Sequence, residues 1–238
     1  MDNAGDHHRA AHNQLVDYRL QEIMADGARA VGTVPGFCSD KPAFKSPWHY
    51  HDCDMQIGIV LDGSVEMAYS ENEYSRMGVG DIGMIPGGVI HDVSHASADF
   101  LTTEFTFPGS FATIDAPAPL TGTPSAAAIM GVSAAIRSKE ADGLLYYSYP
   151  VAEPYAKRYA VERQRRSRVE AFAPHSLAHD DDYQILYVTK GQRMVAMDGE
   201  EACLEPGDLL VLPQGVEAKD VDASEEHEAI CIRLLAGA

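Results

Sequence analysis

The sequence is poor in cysteine and in basic residues, and it has no long apolar run. Its four cysteines, Cys38, Cys53, Cys203 and Cys231, lie far apart and form no CxxC pair. A disulfide framework is therefore excluded, and a reducing cytoplasmic location is expected. No apolar run approaches the roughly 18 residues that a membrane span needs, and the first residues lack the basic-then-apolar order of a signal peptide.

Negative charge dominates the composition. Basic side chains number 18 against 36 acidic ones, so the formal net charge is −18. This balance opposes binding to nucleic acid or to an anionic membrane surface. The one concentration of basic residues, between Lys157 and Arg168, is accordingly expected to form salt bridges or a dimer contact.

Short apolar segments separated by turn residues are the main pattern from Trp48 onward. The predicted strands are 56–61, 65–69, 74–77, 82–85 and 100–107 in the first half, and 144–149 and 155–172 in the second. Asp62-Gly63 is typical of a hairpin turn. Many short strands between turns predict an all-β sandwich or barrel.

A break in composition separates the two halves. Proline and glycine are concentrated over 108–124, and Thr123 with Pro124 could begin a helix that runs to about Lys139 and ends at Gly143. We therefore predict one domain over 1–110, a second over 144–238, and a Pro-rich linker with a short helix over 111–143.

The two halves repeat one pattern. Gln56, Gly63, Gly80, Pro86 and Gly88 of the first half recur as Gln184, Gly191, Gly207, Pro213 and Gly215 of the second, at offsets of 127 or 128 residues. Such spacing predicts two barrels built on the same plan.

Three histidines in the first half are spaced as metal ligands. His49 and His51 lie one residue apart, so their side chains point to the same face of a strand. Gln56 lies nearby, and His91 follows a later turn. Imidazole nitrogen and amide oxygen suit divalent first-row metals, so these four residues are the predicted metal site.

These spacings resemble the two motifs of the cupin superfamily. One motif reads His-x-His, four residues, Glu or Gln, six residues, Gly; the other reads Gly, five residues, Pro-x-Gly, two residues, His. The resemblance implies two double-stranded β-helix (jelly-roll-like) barrels in tandem, a bicupin. It assigns one divalent transition metal, Fe, Mn, Ni, Co or Zn, to His49, His51, Gln56 and His91.

The second motif pair is degenerate. Leu177 and Ala218 stand where the first half has His49 and His91, which leaves only His179 and Gln184. The first barrel is therefore the predicted working half. Its Gln replaces the Glu of many cupins, so neutral ligands would leave the charge of the ion uncompensated and favour an anionic ligand such as a carboxylate or enolate.

Two further residues are candidates for proton transfer. His95 follows His91 by four residues and is either a partner of the site or a solvent-facing histidine. Glu104 lies in an alternating strand and points either into the pocket or away from it.

Two functions are compatible with this pattern. One is a metal-dependent enzyme, of dioxygenase or isomerase and lyase type, acting on a small and anionic organic substrate. The other is a ligand-binding module, because the second half also resembles the effector-binding cupin of arabinose-regulator-type transcription factors, although the sequence shows no DNA-binding domain. Cupins commonly pair through barrel edges, so a homodimer is expected.

Overall fold

The computed structural model describes residues 21–24, 31–38, 47–107, 112–119, 128–130, 137–167 and 171–236. The chain divides into two compact units, residues 1–131 and 132–238. Regular structure in the described parts is strand, apart from one 3-10 turn at Tyr155–Lys157. The prediction of an all-β fold is confirmed. No helix in these ranges has the length and apolarity to cross a membrane.

The described residues of the first unit form eleven strands. They are β1 (Gln21–Met24), β2 (Val31–Cys38), β3 (His49–His51), β4 (Met55–Asp62), β5 (Ser64–Ser70), β6 (Glu73–Gly78), β7 (Ile82–Pro86), β8 (Asp92–Ala96), β9 (Leu101–Phe107), β10 (Thr113–Asp115) and β11 (Ala128–Met130). All their pairings are antiparallel, in a six-stranded sheet of order β1-β2-β9-β4-β7-β11, a three-stranded sheet β6-β5-β8 and the pair β10-β3.

Ten strands build the second unit. They are β12 (Arg137–Ala141), β13 (Leu144–Tyr149), β14 (Tyr159–Arg166), β15 (His175–Ser176), β16 (Tyr183–Lys190), β17 (Arg193–Met197), β18 (Glu200–Leu204), β19 (Leu209–Pro213), β20 (Ala218–Ala223) and β21 (Glu228–Leu234). They form a six-stranded antiparallel sheet, β12-β13-β14-β21-β16-β19, and a four-stranded one, β15-β20-β17-β18.

The sequence repeat is a repeat of strand register. In the first unit β4 lies between β7 and β9, with Gln56 opposite Ile85 and Thr106. In the second unit β16 lies between β19 and β21, with Gln184 opposite Leu212 and Arg233. Residues at the same register in the two barrels can therefore be compared one by one.

A glycine turn closes the same hairpin in both barrels. Gly63 and Gly191 have φ values of 64° and 67°, which side chains with a Cβ rarely adopt. A Cβ on Gly63 would lie 2.7 Å from the Phe100 backbone nitrogen, and one on Gly191 would lie 2.8 Å from that of His227. The close approach of the backbone just before β9 and just before β21 explains why both positions are glycine.

Apolar side chains of the first barrel pack between its two larger sheets. The cluster is formed by Val60, Val65, Met67, Tyr69, Met77, Ile85, Ala96 and Phe100. Val60 shares its strand face with Gln56 because side chains alternate along β4, so Gln56 is on the inward face. The outward-facing Met55, Ile57 and Ile59 are also buried.

The predicted linker helix is wrong where the structure describes that stretch. Residues 128–130 form β11, which pairs with β7, and 137–141 form β12, which pairs with β13. The backbone N–H and C=O groups of β11 and β12 form hydrogen bonds with the neighbouring strands β7 and β13. These pairings outweigh the weak helical preference of the alanine-rich segment. The proposed N-cap at Thr123 and Pro124 lies outside the described residues. The single strand predicted over 155–172 is also not formed as such. Tyr155–Lys157 is the 3-10 turn, and β14 covers Tyr159–Arg166.

Candidate metal centre

His49 and His91 are held side by side by the backbone. They form an isolated antiparallel bridge in which His49 N–H donates to the His91 carbonyl at 3.0 Å and His91 N–H donates to the His49 carbonyl at 2.8 Å. This reciprocal pair joins the strand of the first motif to the end of the second. Two ligands from distant parts of the sequence are thereby brought together.

His51 is fixed from another direction. It lies opposite Thr113 in the β3–β10 pair, and its Nδ1 is 3.1 Å from Thr113 Oγ1. Its carbonyl accepts a hydrogen bond from Gly88 N–H at 3.0 Å. The position of the His51 ring therefore depends on the turn at Pro86 to Gly88 and also on β10.

The three imidazoles form a buried triad. His49, His51 and His91 are 4%, 6% and 2% exposed. Their ring centroids are 4.5 to 5.2 Å apart, and one ligand atom from each lies within 4.8 Å of the others. Such convergence of buried imidazoles is the arrangement that a metal ion requires.

Two ring orientations are set by backbone carbonyls. His49 Nδ1 lies 2.7 Å from the Pro47 oxygen, and His91 Nδ1 lies 2.9 Å from the Val89 oxygen. A carbonyl only accepts, so Nδ1 carries the proton in both rings. In the neutral imidazole Nε2 then has the lone pair, as in metal-binding histidines whose other nitrogen donates to a carbonyl.

Burial favours the neutral, metal-binding form of His49. Removal from water lowers the pKa of its imidazole, while the Pro47 carbonyl and the Asp115 carboxylate act in the opposite direction. Because a ligating imidazole must be unprotonated, the burial that lowers the pKa suits a metal site.

Gln56 offers the fourth donor atom. Its Nε2 donates to Glu104 Oε2 at 3.1 Å, while its Oε1 is buried and has no hydrogen-bond partner among the described residues. A buried acceptor without a partner is costly. A metal ion would remove that cost, so the donor set fits a divalent transition metal.

Glu104 lies on the inward face of β9. It is opposite Gly58, two residues along from Gln56. Burial raises the pKa of the Glu104 carboxyl, and the hydrogen bond from Gln56 partly opposes this. Of the two predicted proton-transfer candidates, Glu104 therefore contacts the predicted ligand Gln56.

His95 is placed differently. It is exposed and lies opposite Glu66, on the face of β5 that alternates with the buried Val65 and Met67. The structure therefore does not bring His95 together with the other candidates. This matches the solvent-facing alternative for His95.

Two threonines of the site have no signal in the cupin motifs. Thr106 is buried opposite Gln56, and its hydroxyl has no partner within the described ranges. Alternation along 100–107 places Thr106 on the face of Glu104, which is the signal that could have found it. Thr113 lies beyond the motifs, and its pairing with His51 requires the fold.

The described part of the second barrel, residues 137–167 and 171–236, holds no such triad. Leu177 and Ala218 are buried in an apolar cluster with Val195 and Leu212. His179, the counterpart of His51, has Nδ1 3.1 Å from the Asp181 oxygen and Nε2 3.0 Å from the Leu212 oxygen. Both of its nitrogens are engaged with backbone carbonyls and are not directed to a metal.

A charged group is buried elsewhere in the second barrel. Arg193, 1% exposed, donates through Nε to Asp220 Oδ1 at 2.7 Å and through Nη2 to Asp220 Oδ2. Its Nη1 donates to Gln164 at 2.6 Å, and His175 Nε2 lies 3.1 Å from Asp220. The bidentate pair, with further partners on both sides, has the character of a structural ion pair.

Comparison with protein families finds a cupin in each half. Residues 36–103 match the cupin domain, and residues 159–227 match the AraC-like ligand binding domain. The comparison with curated proteins finds no match. The matched ranges, the repeated register and the histidine triad show that the chain belongs to the cupin superfamily, with two cupin domains in tandem.

Solved structures share the double-barrel fold. A mutant of Bacillus subtilis oxalate decarboxylase superposes with a TM-score of 0.70 at 13% identity, over 95% of this chain and 74% of that one. A mutant of salicylate 1,2-dioxygenase from Pseudoaminobacter salicylatoxidans, in complex with gentisate, gives 0.64 at 16% identity, over 86% and 68%. At these identities the likeness concerns the fold.

Proposed function

We propose that the first barrel is a metal-dependent enzyme that acts on a small carboxylate-bearing substrate. The observation that carries this proposal is the buried triad His49, His51 and His91, together with the buried Gln56 Oε1, which has no hydrogen-bond partner among the described residues. One divalent ion of Fe, Mn, Ni, Co or Zn would be held by these four residues.

The proposed ion supplies Lewis acidity, which polarises a bound oxygen atom and stabilises negative charge that develops on it. The protein residues supply the rest. Burial excludes water from the imidazoles, and the Pro47 and Val89 carbonyls fix two of the rings. The Thr106 hydroxyl, opposite Gln56, is placed to hydrogen-bond a ligand on the inward face.

The charge of the donor set favours an acid as substrate. Three neutral imidazoles and one amide leave a divalent ion with an uncompensated charge among its direct protein ligands, which attracts a carboxylate or enolate. Oxalate decarboxylase and salicylate 1,2-dioxygenase, both fold neighbours, are named for carboxylic acids. Dioxygenase and isomerase or lyase chemistry are the reaction classes that such a site supports.

A sensing role is supported by the match of residues 159–227 to an AraC-like ligand binding domain. The interior of that barrel argues against it, because Leu186, Leu210 and Cys231 meet at the register where the first barrel has Gly58, Gly83 and Glu104. We therefore favour the enzyme, and propose that it acts as a homodimer without nucleic-acid or membrane partners.

Metal analysis of the purified protein tests the proposal. Protein loaded separately with Mn, Fe, Co, Ni and Zn should retain about one ion per chain, and anomalous diffraction should place that ion at the triad. Oxygen consumption with small carboxylic acids then separates a dioxygenase from an isomerase or lyase. Failure to retain any of the five metals would reject the proposal.

A further inference from the structure

Glu104 reaches the candidate metal centre across a residue that has no side chain. Glu104 lies directly opposite Gly58 on the neighbouring strand. A Cβ placed on Gly58 would be 4.0 Å from Glu104 Cγ and 3.9 Å from Thr102 Oγ1. The Glu104 side chain therefore extends beside Gly58, and its Oε2 accepts the hydrogen bond from Gln56 Nε2 at 3.1 Å.

This contact determines which end of the Gln56 amide faces the interior. The Glu104 oxygen accepts this hydrogen bond, and the NH₂ group is the only donor of the Gln56 side chain. The NH₂ group of Gln56 must therefore face Glu104, and Oε1 must face the other way. That oxygen is the buried atom without a partner among the described residues.

The same contact places a carboxyl group one hydrogen bond behind a neutral predicted ligand. Many cupins carry a glutamate at the position of Gln56, so their ligand set includes the charge directly. In this chain the carboxylate is on the adjacent strand, and the amide lies between it and the proposed ion. Outer partners that hydrogen-bond a ligand also increase its basicity, as carboxylates do for zinc-bound histidine.

We propose that Glu104 is a positioning residue, which orients Gln56 Oε1 as a metal ligand and supplies through the amide the negative charge that the direct ligands lack. The inference rests on the proposed function, because it requires the metal. It goes further in giving this inward carboxylate a role in metal affinity and ligand geometry, separate from proton transfer.

Two substitutions of Glu104 separate the orientation of the Gln56 amide from the charge of the carboxyl group, and a third substitution is the control. Glu104→Gln keeps a hydrogen-bonding group of the same size and removes the charge, whereas Glu104→Leu removes both. Loss of an outer partner typically weakens metal binding by about 10- to 100-fold, and we expect Leu to cost more than Gln. Glu73→Gln, an exposed carboxylate of the same unit, is the matched control and should leave affinity unchanged.

The exchange variant Gln56→Glu/Glu104→Gln provides the rescue. It moves the carboxylate onto the direct ligand and lets the new amide donate back to it, so the hydrogen bond is kept and reversed. We expect it to recover at least the affinity lost in Glu104→Gln. Chelator competition gives the affinities, and the visible absorption of the Co²⁺-loaded proteins reports the ligand set independently of activity.

The outcomes are distinguishable. If the unaltered protein binds no metal, the proposed function fails. If it binds one ion and both Glu104 variants keep its affinity and its Co²⁺ spectrum, the positioning role alone is overturned. Weaker binding with a shifted spectrum in Glu104→Gln, at an unchanged Tm, supports the role, as does recovery in the exchange variant.

Discussion

Strands β4 and β16 occupy the same place in their barrels, yet matching residues differ in size and polarity. Gly58 lies opposite Gly83 and Glu104, whereas Leu186 lies opposite Leu210 and Cys231. The first barrel leaves space and a carboxyl group at this register. Leu186, Leu210 and Cys231 are part of an apolar core in the second.

The opposite substitution occurs outside the six-stranded sheets, at β5 and β17 and at the residues just before β9 and β21. Val65 and Phe100 are apolar core residues of the first barrel. Their counterparts Arg193 and His227 are buried and polar, and Arg193 pairs with Asp220. One backbone plan therefore accommodates a buried polar group at different positions, and the side chains decide which position it is.

The largest expected difference between the barrels is in metal content. His49→Ala should reduce affinity by more than about 100-fold, because even loss of an outer partner of a ligand costs 10- to 100-fold. His179→Ala, at the counterpart of His51, should leave the content unchanged. Elemental analysis of both variants checks this, and equal loss in the two would refute the assignment to the first barrel.

The buried ion pair should give the next largest effect. Removing one member of such a pair typically costs about 3–5 kcal/mol, because the other charge is left buried. Arg193→Val should therefore lower the free energy of unfolding by about that amount. The double variant Arg193→Val/Asp220→Val, which copies Val65 and Val93 of the first barrel, should recover most of it. Urea denaturation measures both, and a double variant no more stable than the single would contradict this view.

Filling the space beside Glu104 tests the difference between the two interiors. Gly58→Leu introduces the side chain found at the register of Leu186, and overpacking typically costs about 1–3 kcal/mol. Metal affinity should also fall, because the leucine and Glu104 compete for the same space. Gly58→Ala is the control, since its Cβ would make only ordinary contacts. Unchanged metal affinity in Gly58→Leu would count against an open interior.

A further difference between the barrels concerns the response to acid. Burial, with the nearby Arg193 charge, lowers the pKa of His227 from 6.5 to about 3. Protonation of His227 thus favours the unfolded chain. The contribution of neutral His227 to the free energy of unfolding is complete above about pH 6.5. It is lost as the pH falls towards 3, by about 1.4 kcal/mol per pH unit. Urea unfolding measured over this pH range should show a flatter profile for His227→Phe, which copies Phe100; an identical profile would exclude the effect.

The pKa of His175 is shifted in the opposite direction to that of His227. The effects of the two histidines on stability can therefore be separated by pH. The Asp220 carboxylate raises the pKa of His175. Its stabilising contribution is therefore complete below pH 6.5 and is lost as the pH rises through the raised value. Unfolding measured above pH 6.5 reports His175, whereas unfolding measured below it reports His227.

The sequence contained enough to predict the barrels and their asymmetry. Motif spacing placed His49, His51 and His91 together, because glycine turns and alternating strands restrict where such residues can lie. Leu177 and Ala218, which stand where the first half has His49 and His91, likewise predicted an incomplete ligand set in the second barrel.

Features that depend on long-range pairing were not predictable. The alanine-rich segment after Thr123 has a local helical preference, and only the availability of a sheet edge makes 128–130 a strand. The exposure of His95 depends on a register shift between β5 and β8. The contact of Gln56 with Glu104 joins residues 48 positions apart, which no local pattern records.

The pairing of β3 with β10 affects how the first half can be separated from the second. Thr113 contacts the His51 ring, and Asp52 N–H donates to the Ala112 carbonyl at 2.9 Å. A fragment that ended at residue 110 would keep all four proposed ligands and both motifs but lose this support. The smallest autonomous half worth expressing therefore extends to residue 130, so that β10 and β11 remain.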